Sequence, residues 1–339
     1  MDNRLGYFDI AKGLAILLVV VYHSLEGIIS VFDLPTGHFI YALAEWSKVF
    51  LMPTFFFVSG CLAQNTIVQG NSNKIINKIK DLLYLYIIWS CIIYISRLSL
   101  NSITNTNMAA DEIVKIFWDP LPTIWFVYAL VIAFSFTYLV RGVNRHLVIV
   151  FAIGMNILNQ VYPSLFEGFI LERVCWLLLY YLIGFYYFHE INTLIRENSR
   201  TALGFVAIFV LLSLTFILTD SRIDIHNSIL LSLLFGFGFL SSCLVLELNL
   251  QPKIVLFLRN LGAACLFIYL THFPIPAATR LLLMKLDLYS HALSIYLTLI
   301  LAISLGLIAQ HFANRSWCSW LFFRPRNMIG KILGRVNAT

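Results

Sequence analysis

Long apolar runs broken by short polar stretches recur along the whole chain, and runs of ~17–25 such residues mark membrane-spanning helices. They predict ten helices, at roughly 10–31, 44–64, 82–100, 122–140, 146–161, 170–189, 201–219, 227–247, 261–284 and 290–313. The fifth is the shortest. Connections are brief, and only 65–81 and 101–121 leave room for interfacial segments. Nothing is long enough to hold an inserted soluble domain, and no repeat recurs at a fixed period. The expected architecture is an all-α polytopic membrane protein, one membrane domain over 1–339 that ends in a short basic tail, 314–339.

Composition closes off the alternatives. Of 339 residues, 60% are hydrophobic and 12% charged, and the mean hydropathy is +0.85. An ordinary soluble domain has about 25% charged residues to cover its surface. The net charge of +6 is scattered between apolar runs, so it marks no nucleic-acid face. Cys61, Cys91, Cys175, Cys243, Cys265 and Cys318 form no C-x-x-C pair and read as small buried hydrophobes; no metal site is expected. The first apolar run contains Lys12, His23 and Glu26 and leads to no small-residue cleavage site, so it is expected to stay as a helix.

Counting Lys and Arg on each side gives the direction. With the N-terminus inside, 16 fall on the inner side, among them Arg4, Lys12, Lys74, Lys78, Lys80, Arg141, Arg145 and Arg259. Seven fall outside: Lys48, Arg97, Lys115, Arg173, Arg222, Arg280 and Lys285. Ten spans with both termini cytoplasmic is the arrangement this bias supports.

The opening helix carries the candidate chemistry. Lys12 and His23 are eleven residues apart, within ~20° of one face and about 16 Å apart along the axis. Asp9 and Glu26 extend the same stripe by three residues at either end. Charge at the cytoplasmic boundary and an imidazole near the bilayer centre suit a cavity or a partner, because ionisable groups are expensive at that depth. The plainer alternative is a snorkelling lysine and a hydrogen-bonded core histidine, and the stripe alone leaves both open.

Asp9, Lys12, Gly13 and His23 resemble the signature of the acyltransferase 3 family, integral membrane enzymes that acylate sugars and other acceptors. That signature is an aspartate, a basic residue that is usually arginine, ten residues, then histidine. Lysine here departs from the commonest form and resembles the branch of fucose 4-O-acetylase-like proteins. Lysine also acts as a point charge where arginine would offer a fork. LMPTFFFVSGCLA (51–63), PTIWFVYALV (122–131), LLLYYLIGFYY (177–187) and RNLGAACLFIYLTHFPI (259–275) resemble later segments of the family in order. The resemblance implies an acetyl-CoA-dependent O-acyltransferase of the cell membrane. Its donor substrate would be acyl-CoA and its acceptor a carbohydrate, the hydroxyl of a surface polysaccharide or lipid-linked glycan. No permanently bound cofactor is implied.

Acyl transfer from a thioester to a hydroxyl needs a base and a means of stabilising an oxyanion. His23 is the candidate base, with Glu26, three residues on, orienting its ring in the manner of a triad acid. Lys12, with Asp9, is the candidate donor-binding pair at the inner mouth. His272, eleven residues past an expected helix start at Leu261, would reach the same depth as His23; before Pro274 and Pro276 it equally suits a role capping carbonyls that the prolines leave free. No Ser or Cys lies in a nucleophile motif, and Ser24 points ~100° from His23. Direct attack is favoured, with a transient acyl-histidine left open. Arg173 reads as an anchor paired with Glu172, ahead of a role in acceptor binding; Lys48 reads as a snorkelling residue, and Trp125 as an interfacial and packing anchor ahead of a sugar stacker. Lys74, Lys78 and Lys80 read as a basic loop that signals topology, or as a strip for acyl-CoA phosphates. The rival class is a transporter or flippase for a glycan or lipid precursor, which would show repeats and paired broken helices that are not evident here.

Overall fold

The computed structural model describes residues 6–99, 110–166, 170–218, 228–315 and 317–325, and among these it is helical, with no strand. Eleven α-helices follow in order: α1 Gly6–Phe32, α2 Phe39–Gln69, α3 Ser72–Ser99, α4 Trp125–Val140, α5 Arg145–Val161, α6 Ile170–Glu197, α7 Ser199–Leu218, α8 Ile229–Asn249, α9 Pro252–Thr271, α10 Pro274–Lys285 and α11 His291–Arg315. Local chemistry sets several starts. The side chains of His38, Asn144 and Ser228 accept from backbone N–H groups in the first turns of α2, α5 and α8. Pro252 and Pro274 open α9 and α10, where a missing N–H costs nothing.

Among the described residues, eight helices are long and apolar enough to cross a membrane: α1, α2, α3, α6, α7, α8, α9 and α11. The protein is a multi-pass integral membrane protein. α4 and α5 are apolar but shorter, with 16 and 17 residues, about 24–26 Å of helix. Nine of the ten expected segments each fall on one helix. The exception is 261–284. There, α9 begins nine residues before Leu261, and the helix breaks at His272, leaving α10 as a separate helix of 12 residues. Lys253, Arg259 and Asn260 hid the true start, because they are polar in sequence yet lie in continuous helix. Pro274 causes the break. Likewise 65–81 is no interfacial loop. α2 runs to Gln69 and α3 starts at Ser72, so Lys74, Lys78 and Lys80 stand, exposed, on the first turns of a long helix.

Two parallel helix pairs form the frame, each closed by glycines. Along α1 and α9, a β-carbon at Gly13 would crowd the Leu258 carbonyl and Gly262 N–H, and one at Gly262 would fall on the backbone of Asp9. Along α2 and α6, Gly60 meets the Tyr181 carbonyl and Gly184 the Phe57 carbonyl. In a membrane, where lipid is as apolar as leucine, such close backbone approach is a main source of helix adhesion. At one face the starts of α1 and α9 meet the ends of α6 and α8: Tyr7 Oη donates to Asn192 at 2.9 Å, and Arg259 pairs with Glu247. Part of the 314–339 segment is folded, since the backbone carbonyls of Trp320 and Leu321 accept from Tyr84 and Trp89 and Arg324 binds Asp81 and Asn77 at 2.9 and 2.8 Å. Residues 326–339 lie outside the described residues, as do Arg4, Asn107, Arg222 and Asp224.

Candidate functional site

α1 arranges its Asp, Lys, His and Glu side chains as two pairs, each spaced three residues apart. Lys12 Nζ lies 2.6 Å from Asp9 Oδ1. Seventeen residues into α1 and nine before its end, His23 Nδ1 lies 3.1 Å from Glu26 Oε2. A carboxylate only accepts, so Nδ1 carries a proton and, in the neutral ring, Nε2 carries the lone pair. Tyr22 Oη donates to the other oxygen of Glu26, as the i, i+4 spacing allows. Both carboxylate oxygens of Glu26 are therefore engaged. The helix is longer at its start than its apolar run, so His23 stands well past its middle.

His272 comes to the same place from α9. Its ring centre is 5.3 Å from that of His23. Its Nδ1–H donates to the Tyr269 carbonyl at 2.6 Å, which puts its lone pair, too, on Nε2. That nitrogen is buried without a hydrogen-bond partner. The histidine therefore caps a carbonyl of the last turn of α9 and packs on His23 at once. The register comes from the glycine contact below: His23 is ten residues beyond Gly13 and His272 ten beyond Gly262, about 15 Å up each helix.

A cavity of about 450 Å³ opens beside His23. His23, Glu26 and Tyr22 line it from α1, Tyr269 from α9, and Lys48 and Met52 from α2. Its remaining wall comes from the start of α4 (Trp125, Phe126, with Thr123 just before), the end of α5 (Asn159) and the start of α6 (Glu172, Arg173, Trp176). It lies at the face opposite the meeting of the α1 and α9 starts. His272, fully buried, is behind His23 and does not line it. Asp9 and Lys12 do not line it either, being near the other end of α1.

The remaining expected residues divide. Arg173 makes no ion pair with Glu172; its guanidinium lies 4.9 Å over the Trp125 ring, and both face the cavity. Lys48 Nζ is held by Glu45 at 2.7 Å and stands 5.5 Å over the Tyr22 ring. Ser24 Oγ donates back to the Val20 carbonyl and is buried, which removes it as a nucleophile. Lys78 lines a separate cavity of about 200 Å³ with Ser59, Thr66 and Tyr181. The six cysteines are free thiols. Sequence reasoning passed over Tyr22, Thr123, Asn159, Trp176 and Tyr269. Only Tyr22 had a local signal, its spacing to Glu26; the others are brought in by helix packing.

A family model described as an acyltransferase domain matches residues 5–320. No curated protein and no solved structure matches the chain.

Proposed function

This chain belongs to the acyltransferase 3 family, and from that premise we propose that it moves an acyl group, acetyl in the first instance, from acyl-CoA to a hydroxyl of a glycan, with His23 as general base. One observation supports this reading above the rest: an imidazole oriented through Nδ1 by a carboxylate, with its Nε2 lone pair free, on the wall of a cavity large enough for a sugar ring and a thioester end.

The chemistry follows from the protonation pattern. The acceptor hydroxyl gives its proton to His23 Nε2 as its oxygen attacks the thioester carbonyl. The resulting imidazolium holds both ring protons, and Glu26, fixed by Tyr22, stabilises its charge as the acid of a triad does. When the tetrahedral intermediate collapses, the C–S bond breaks and the proton passes from Nε2 to the CoA sulfur. His272 acts from behind, fixing the ring plane of His23. Donor phosphates meet Lys12 at the inner end of α1, about 16 Å from the reaction centre by helix rise, a span suited to a long flexible thioester arm. Both termini are cytoplasmic in this reading, so the donor enters from that side.

The test is thioester turnover. Purified protein in detergent, given acetyl-CoA and a glycan extract, should release free CoA and label the glycan. His23→Gln should lose that activity by about 10²–10⁴-fold while eluting as the same single species. A protein that moves glycan but leaves acetyl-CoA intact would be a transporter, and the proposal would be wrong.

A further inference from the structure

The α4–α6 wall of the cavity carries a cation, Arg173, that no described residue pairs. Lys48, which lines the cavity from α2, is engaged by Glu45. Glu26 is engaged by His23 and Tyr22. Glu172 precedes Arg173 on the helix and so points ~100° away from it; its side chain is exposed. A half-buried guanidinium without a counterion is costly, and stacking on an indole fixes its plane while leaving its fork of donors free. Beside it, Thr123 Oγ1, Asn159 Oδ1 and Trp176 Nε1 are buried with no hydrogen-bond partner, and Thr123 is only 5% exposed. Unpartnered polar groups around one cavity mark where a ligand's own polar atoms complete the bonding.

We propose that this wall is the acceptor subsite and that Arg173 selects acceptors bearing an anionic group, a carboxylate or a phosphate, near the hydroxyl to be acylated. The inference rests on the acyl-acceptor reading of the cavity. Arg173 is a binding residue, distant in sequence from His23, and it sets which acceptor is held, leaving the base and the donor site unchanged.

Purified protein in detergent is titrated with glucose, glucuronate and glucose 6-phosphate while tryptophan fluorescence is read, Trp125 lying under the guanidinium. At least one acid should bind about tenfold or more tightly than glucose, as a charge-assisted contact implies. Preference for glucuronate assigns a carboxylate, and preference for glucose 6-phosphate a phosphate. Arg173→Gln should abolish the preference and Arg173→Lys should keep part of it, both with an unchanged KM for acetyl-CoA. Equal binding of acid and neutral sugar, no binding of any probe, or an undiminished preference in Arg173→Gln overturns the proposal. His23-dependent CoA release is measured on the same preparations. If it persists when the acid preference is absent, only the selectivity has failed; if it is absent too, the acyltransfer reading has failed.

Discussion

The imidazoles of His23 and His272 lie 5.3 Å apart, ring centre to ring centre, and each donates its Nδ1 proton to a different acceptor: Glu26 for the first, the Tyr269 carbonyl for the second. Only His23 faces the cavity. The two rings are therefore unequal, one open to the cavity and the other packed behind it, and their variants should differ in kind.

His272→Ala should slow acyl transfer less than His23→Gln does and should lower thermal stability as well. It leaves the Tyr269 carbonyl without its donor, a loss of about 1–3 kcal/mol for a buried group. CoA release and thermal unfolding on the same preparation separate the two effects. A variant as inactive as His23→Gln with no change in melting temperature would make His272 an equal partner in the chemistry.

Glu26→Gln keeps the size of the side chain but removes the charge that steadies imidazolium. The expected result is a fall in kcat on the order of 10²-fold with little change in the KM for acetyl-CoA. An unaltered kcat would mean that Glu26 only packs.

The donor pair is checked by charge. Lys12→Ala should raise the acetyl-CoA KM roughly tenfold or more, as a lost charge-assisted contact of about 1.5–3 kcal/mol implies, and Lys12→Arg should retain much of the affinity. Asp9→Asn releases the ammonium from its 2.6 Å partner and should shift the same KM without touching the acceptor. Identical donor affinity in Lys12→Ala and the parent would end the assignment.

Helix register should matter as much as the reacting groups. Gly262→Val drives a branched side chain into the Asp9 backbone and should part α1 from α9, at a cost of about 1–3 kcal/mol for overpacking. Turnover should fall although every polar residue of the site is intact. Gly142→Ala meets nothing within 4 Å and serves as the silent control in a paired activity and unfolding measurement.

Reporter fusions at Asn107, Asp224 and Thr339 address topology. Ten spans with an inner N-terminus place the first two outside and the last inside. An external signal at Thr339 would require an odd number of crossings and exclude the arrangement.

Most of the frame was legible because hydropathy and helix length are local properties: the run 146–161 became Arg145–Val161, and 10–31 became Gly6–Phe32. What misled was polarity inside a helix, at Lys253 and Arg259, and the break before Pro274, which a window over 261–284 smooths away. The pairing along α1 was also legible, Asp9 with Lys12 and His23 with Glu26, of which only the second pair reaches the cavity. The other half depends on tertiary contact. His272 was placed level with His23 by counting from Leu261, nine residues late; the rings meet because Gly13 and Gly262 let two backbones touch. Arg173 looked like the partner of its neighbour Glu172, and only packing shows it lying over Trp125.

The two glycine-closed pairs divide the labour of the molecule. α1 and α9 hold His23, Glu26 and His272, whereas the cavity wall that faces them is drawn from α2, α4, α5 and α6, the second and sixth locked by Gly60 and Gly184. On the proposed assignment, a substitution at Asn159 or Trp176 would alter the receptive wall and leave the reacting half as it was. On that assignment the fold is modular in the evolutionary sense: descendants of one such chain would drift from one acceptor to another by changing a few side chains at one rim, while inheriting the chemistry whole.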